Sequence, residues 1–199
     1  MSGIAIIDSG GANIASLKFA LQRLGADAEI TGDARSIRAA DRVILPGVGA
    51  AANAMQRLRE LELTDVIRNL SQPVLGICLG LQLLCQASAE EDVECLGILD
   101  GRAEQLPGTP ELPVPNMGWC PVQLNNDHPV MADIADHSYF YFVHSYAVPP
   151  SKQTVASAEH AVPFSAVMAS NNFVAAQFHP ERSAKAGSKL LQNFLNWSP

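Results

Sequence analysis

Gly76-Ile77-Cys78-Leu79-Gly80 sets a cysteine between two glycines, directly after an apolar run, Val74 to Ile77, that reads as a short buried strand. From Leu79 onward the apolar spacing becomes that of a helix, so Cys78 falls on a sharp strand-to-helix turn where bulky neighbours would clash. A thiol there stands at a helix N-terminus, whose free N–H groups and dipole stabilise the thiolate, the form that attacks carbon. The competing reading is a small core hydrophobe with glycines that end a strand. A cysteine nucleophile needs an imidazole to take and return its proton, and that imidazole needs an acceptor to fix its orientation. Gln177-Phe178-His179-Pro180-Glu181 offers both, with His179 expected at the C-terminal end of a strand, on the same edge as Cys78. Glu181 lies two residues on, across a proline that fixes the local path. The other four histidines, His128, His137, His144 and His160, read as structural side chains.

The elements needed to bring these groups together alternate in the first half. Ile4 to Ile7 reads as a strand ending at Asp8, followed by a glycine loop from Ser9 to Asn13 and an amphipathic helix to about Leu24, closed by Gly25. Ala26 to Ile30 and Arg42 to Leu45 read as strands, the second running into Pro46-Gly47-Val48-Gly49. Ala50 to Leu61 and Thr64 to Leu70 have helical spacing before the strand that carries Cys78. This order predicts an α/β fold: a single domain over residues 1–199, with a mostly parallel central sheet flanked by helices and sites at the C-terminal ends of its strands. The loops starting at Asp8, Pro46 and Gly76 should then line one edge.

From Leu96 to Gln123 five prolines break the chain, which suits loops and short antiparallel strands. Tyr139 to His144, Thr154 to Ala158 and Phe173 to Phe178 read as strands, and Ser183 to Trp197 as a closing helix. The C-terminal half is therefore expected to add antiparallel strands.

The 199 residues, 48% of them hydrophobic, suffice for one well-buried domain and are too few for two. Asp8 interrupts the first apolar run, and no stretch approaches the roughly 20 apolar residues of a membrane helix, so the expectation is a soluble, cytoplasmic protein. Cys78, Cys85, Cys95 and Cys120 form no Cys-x-x-Cys pair, which argues against disulfides and a zinc knuckle. A formal net charge of −7 argues against nucleic acid and leaves small molecules or proteins as partners.

With Gly-Ile-Cys-Leu-Gly and His-Pro-Glu in this order, the chain resembles the triad-type (class I) glutamine amidotransferases over nearly its whole length. Within them it is most similar to the branch that serves imidazole glycerol phosphate synthase in histidine biosynthesis. Four stretches carry that likeness: Ile4 to Asp8 with the loop to Asn13, Leu45 to Gly49, Pro115-Asn116-Met117-Gly118-Trp119, and Phe142-Val143-His144-Ser145-Tyr146. The branch usually has Tyr where this chain has Ser9, Gly at Ala12 and His at Asn116.

The resemblance implies a glutaminase with catalytic Cys78, His179 and Glu181, which hydrolyses glutamine to glutamate and ammonia through a Cys78 thioester and needs no metal or other cofactor. The turn makes the N–H of Leu79 one oxyanion donor. The second, by resemblance, is a backbone N–H of the Pro46 to Gly49 loop, at Val48 and Gly49. Gly47 and Gly49 flank Val48, so this peptide can rotate and serve as a switch that a partner sets. Gly47, Gln82, Ser145 and Tyr146 are implied to bind glutamine. The implied partner is the cyclase subunit of the synthase, a (β/α)₈ barrel that forms a heterodimer and receives ammonia by a dry path. Asn13, Met117, Trp119 and Arg182 are the candidate partner-facing residues; Met117 and Trp119 either meet the partner or pack beneath their own loop.

Other readings compete. A glutaminase serving another synthase, for anthranilate or pyridoxal phosphate, shares the triad, and Pro115 to Trp119 argues against it. Gly47-x-Gly49-x-x-Ala52 loosely matches a dinucleotide-binding fingerprint, but the acid roughly 20 residues on, Asp65, falls in a helical stretch. A scaffold without activity would be expected to have lost part of the triad, whose three members are all present. His179-x-Glu181 echoes a zinc deaminase, but no Pro-Cys-x-x-Cys follows.

Overall fold

The structure is a computed structural model and describes residues 3–10, 14–47 and 49–199, so Asn13 and Val48 lie outside the described residues. The first half follows the alternation read from the sequence: β1 (Ile4–Ile7), α1 (Ile14–Arg23), β2 (Ala28–Thr31), α2 (Ala34–Ala39), β3 (Arg42–Gly47), α3 (Ala51–Glu60), α4 (Thr64–Arg68), β4 (Val74–Cys78) and α5 (Leu79–Leu84). Short strands β5 (Ala87–Ser88), β6 (Val93–Glu94) and β7 (Arg102–Gln105) follow. The remainder comprises β8 (Asn116–Leu124), β9 (Ser138–His144), β10 (Tyr146–Ala147), β11 (Thr154–His160), β12 (Val162–Ser170), β13 (Phe173–Ala176) and α6 (Ala184–Asn196).

Among the described residues the main sheet runs β2-β1-β3-β4-β13-β12-β11-β8-β9. The strands from β2 to β13 are parallel, and the rest of the sheet continues antiparallel. β4 lies between β3 and β13, pairing Cys78 with Gly47 on one side and Gly76 with Ala175 on the other. The strand that ends at Cys78 thus has the end of β3 at Gly47 and the segment that leads to His179 as its neighbours at one edge. A smaller sheet, β10-β7-β5-β6, holds Tyr146 against Gln105.

The central strands are buried on both faces because helices cover both, which is why they read as continuous apolar runs. Side chains alternate between two cores. Ile4, Ile6, Ile44, Leu75 and Ile77 pack on the side of α1 and α6, with Leu21, Leu190 and Phe194. Ala5, Ile7, Val43, Leu45 and Val74 pack on the side of α3, α4 and α5, with Met55, Ile67 and Leu83. Each fully buried aliphatic or aromatic side chain of this kind contributes about 1.5–3 kcal/mol. No helix among the described residues is long and apolar enough to cross a membrane.

Several elements go beyond the sequence reading, among them the two-residue strands β5, β6 and β10. α2 is one short helix whose cap, Asp33, accepts a 2.7 Å hydrogen bond from the Ser36 N–H. β12 fills the sheet between β11 and β13 despite Pro163, which sits near the β11–β12 turn opposite Glu159, where a missing N–H matters least. β8 is also longer than the short strands expected there, tolerating Pro121 within its nine residues.

Candidate active site

Cys78 occupies a backbone conformation, φ 54° and ψ −109°, that L-residues rarely adopt, at the junction of β4 and α5. The glycines around it are there for space. A Cβ on Gly80 would overlap the carbonyl oxygen of Leu45, and one on Gly76 would come within 2.7 Å of Leu84 Cδ1 and 2.9 Å of the Gly80 oxygen. With both positions bare, α5 lies directly against β3 and β4, and the turn aims Cys78 past the strand ends. All six residues of α5 are buried, so the turn is held from both sides.

His179 follows β13 on the same edge. Its N–H donates to the Tyr141 carbonyl (2.9 Å) and its carbonyl accepts from Ser183 Oγ (2.7 Å), which clamps the backbone on both sides. Ser183 Oγ in turn accepts from the Tyr141 N–H, at 2.9 Å. Phe178 is stacked on Phe140 with ring centroids 4.0 Å apart, which anchors the preceding residue. The single helical turn Pro180–Arg182 brings Glu181 back over the ring, and His179 Nδ1 meets Glu181 Oε1 at 2.9 Å. Both side chains are buried, at 6% and 4% exposure. Nδ1 is therefore the protonated nitrogen that donates to the carboxylate, and Nε2 is left without a hydrogen-bond partner among the described residues.

Burial alone would push the His179 ring down, but the Cys78 sulfur and the Glu181 carboxylate that face it outweigh burial and raise the ring to about 10. Cys78 Sγ lies 3.8 Å from the Val143 carbonyl and 3.8 Å from Gln177 Nε2. Burial makes the other thiols poor nucleophiles. Burial pushes Cys85 up to about 12 and Cys95 up to about 11, and raises Cys120 as well.

A cavity of about 340 Å³ collects most of the site residues expected from sequence: Cys78, Leu79, Gln82, Gly49, Ser145, Tyr146 and His179 line it. Gln82 is 4% exposed, and its Nε2 donates to the Tyr146 carbonyl at 3.0 Å. Gly47 does not line the cavity and instead pairs with Cys78 in the sheet. Gly49 has φ +91°, a conformation that glycine adopts without strain. Met117 and Trp119 stand 64% and 50% exposed instead of folding under their loop, and Trp119 meets the edge of Tyr141. Arg182 lies over the other partner of that pair, its guanidinium carbon 4.4 Å from the Tyr141 ring centroid. Asp65, the acid weighed for a dinucleotide site, pairs with Arg68 on the exposed face of α4.

Glu90, which the sequence reading passed over, also lines the cavity, and its Oε2 accepts from the Ala51 N–H at 3.0 Å. His144, read as structural, lines it too. Its Nδ1 lies 2.9 Å from the Tyr146 carbonyl and its Nε2 3.1 Å from Asn116 Nδ2. Burial pushes this ring down to about 4, so it is neutral at ordinary pH.

The arrangement can perform acyl transfer: a cysteine on a strained turn, a carboxylate-oriented imidazole and a cavity of amino-acid size. Comparison with known proteins agrees. The family model "Glutamine amidotransferase class-I" matches residues 5–197. The chain is 53% identical to the imidazole glycerol phosphate synthase subunit HisH of Pasteurella multocida, over 98% of each chain. It is 50% identical to the protein of the same name from Haemophilus influenzae, over 100% of each. Among solved structures, a glutamine amidotransferase from Thermotoga maritima superposes with a TM-score of 0.67 at 16% identity, covering 98% of this chain and 83% of that one. At that identity the superposition shows the fold alone.

Proposed function

This chain belongs to the glutamine amidotransferase class-I family, and we propose that it works there as the glutaminase subunit of an imidazole glycerol phosphate synthase, a cytoplasmic heterodimer with a (β/α)₈-barrel cyclase. The observation that carries this reading is the meeting of Cys78, on its strained turn, with the Glu181-bonded His179 at one cavity.

The Cys78 sulfur attacks the side-chain carbonyl carbon of glutamine with its proton held on His179 Nε2, the ring position not held by Glu181. The C–N bond then breaks, and the imidazolium returns the proton to the departing nitrogen, releasing ammonia and leaving a glutamyl thioester on Cys78. A water attacks the thioester with the same ring as base, the C–S bond breaks, and glutamate leaves. The developing oxyanion meets the N–H of Leu79 and a backbone N–H of the Pro46 to Gly49 loop, assigned to Val48 and Gly49 by resemblance. One such donor supplies about 2.7–4 kcal/mol of transition-state stabilisation, so a loop that turns one peptide controls the rate.

Substrate recognition uses the cavity wall. Both hydrogens of the Gln82 amide go to protein oxygens, so Gln82 offers the substrate an acceptor. Glu90 is the acid that lines the cavity and suits the α-ammonium of glutamine. Ser145 and Tyr146 complete the wall on the β9 side.

The partner face is read from exposure. Met117, Trp119 and Tyr139 are exposed at 64%, 50% and 59%, a cluster of residue types favoured at interfaces, with Arg182 beside it. Tyr141, between Trp119 and Arg182, also accepts the His179 N–H, so contact on this face bears directly on the catalytic ring. Ammonia released in water at neutral pH is protonated and lost as a nucleophile, which favours direct delivery into a bound partner.

The test is glutamate production by the purified chain with and without the barrel cyclase. The expected result is stable pairing with the cyclase and glutaminase activity that rises on pairing. Pairing with another synthase instead of the cyclase would overturn the reading.

A further inference from the structure

We propose that Gln177 is a further catalytic residue, donating a hydrogen bond from its side-chain amide to the Cys78 sulfur, and that Asn116, His144 and Gln82 are positioning residues that hold the amide in that orientation. The proposal rests on Cys78 being the nucleophile of the reaction above.

The orientation follows from one backbone atom. The Tyr146 carbonyl can only accept, so the end of the Gln82 amide 3.0 Å from it is the NH₂ group. The second hydrogen of that NH₂ points to Gln177, at 3.5 Å, which fixes the Gln177 oxygen toward Gln82. Gln177 Nε2 is then the end that faces Cys78 Sγ at 3.8 Å. The same carbonyl fixes the other branch. His144 Nδ1 must carry the proton it donates to Tyr146, and because the ring is neutral its Nε2 accepts from Asn116 Nδ2. Asn116 Oδ1 is left to accept from the Cys120 thiol, at 3.6 Å. Every donor along this buried line meets an acceptor, and reversing any one amide would set two like groups against each other.

Gln177 is fully buried, so this amide has no water to turn toward. At the sulfur it opposes the Val143 carbonyl, which accepts from the thiol S–H and favours the protonated form. A donated N–H favours the negative sulfur left when the proton moves to His179, and it does so without occupying Nε2.

The experiment is alkylation of Cys78 by iodoacetamide at fixed pH, followed peptide by peptide in the full-length chain. Cys85 and Cys95, both buried and outside this line, serve as the internal control, since loosening of the fold would expose them. Gln177→Met removes the donor at similar length, and Gln177→Glu replaces it with a carboxylate. Cys78 alkylation is expected to slow about tenfold in Gln177→Met and further in Gln177→Glu, with Cys85 and Cys95 unchanged and kcat lowered more than KM is raised. His144→Phe, which sits among Phe142 and Phe164, removes both ring nitrogens at a distance from the sulfur and is expected to slow alkylation by part of that factor. Unchanged Cys78 alkylation in the folded Gln177 variants overturns the proposal. If these fail to fold, an unchanged rate in His144→Phe overturns it. Alkylation uses no glutamine, so a native chain that fails to hydrolyse glutamine even when mixed with the cyclase rejects the functional reading by a separate result.

Discussion

His179 and His144 carry opposite pH signatures. The His179 ring, raised to about 10 by Cys78 and Glu181 against its burial, holds its proton more tightly folded than unfolded, where 6.5 is the ordinary value. Its contribution to stability is full below pH 6.5 and is lost as pH rises through about 10. His144 is pushed down to about 4 by burial, so the unfolded ring takes up a proton that the native ring refuses. That contribution is full above pH 6.5 and is lost as pH falls toward 4. Urea unfolding across this range is therefore expected to show stability falling on both sides of a neutral maximum. His179→Gln should flatten the alkaline limb and His144→Phe the acid limb; unaltered limbs in both variants would refute these environments. At this scale the clustering of Cys78, His179 and Glu181 was legible because each sits in a local motif with a mechanical reason for its spacing. Glu90 was not. Its run, Glu90-Glu91-Asp92, reads as a solvated acidic turn, and only the fold brings its carboxylate to the N–H of Ala51 and the cavity.

Between β4 and α5, the element that matters is the turn itself, and its tolerance is set by bare backbone. Gly80→Ala would drive a methyl group into the Leu45 carbonyl, so α5 must move off β3. The expected cost is about 1–3 kcal/mol of stability, read as a lower Tm, together with a loss of glutaminase activity as Cys78 and Leu79 shift. A variant with native Tm and native kcat would show that the close approach is unimportant. The same apolar runs and glycine loops that made β1, β3, β4 and α3 legible failed at α2 and β12. α2 spans six residues, too short for periodicity to show, although its cap at Asp33 was in plain sight. β12 was hidden by Pro163 and by a stretch, Phe164 to Met168, in which the polar Ser165 is buried along with its apolar neighbours and no alternation remains.

For the molecule as a whole, in the proposed reading the parallel half of the sheet carries the chemistry and the antiparallel half the partner-facing surface. β8 and β9 present Met117, Trp119 and Tyr139 outward, while Tyr141 on β9 holds His179 from behind. Exposure of this kind is not readable from sequence, because the same residues would read alike beneath a loop. Trp119→Ala is expected to weaken cyclase binding by about thirtyfold, the loss of a centrally placed aromatic anchor worth about 2 kcal/mol, without changing the glutaminase rate of the isolated chain. Titration of the variant with cyclase measures it, and an unchanged Kd would move the interface elsewhere.

The central claim is that the glutamyl group passes through the sulfur of Cys78. Its most direct test is to quench the working complex in acid during turnover of glutamine and locate the adduct by peptide mass. The account predicts a glutamyl group on the peptide that contains Cys78, absent from Cys78→Ala. Continued ammonia release by Cys78→Ala, or an adduct on the peptide of Cys85, Cys95 or Cys120 instead, would contradict it.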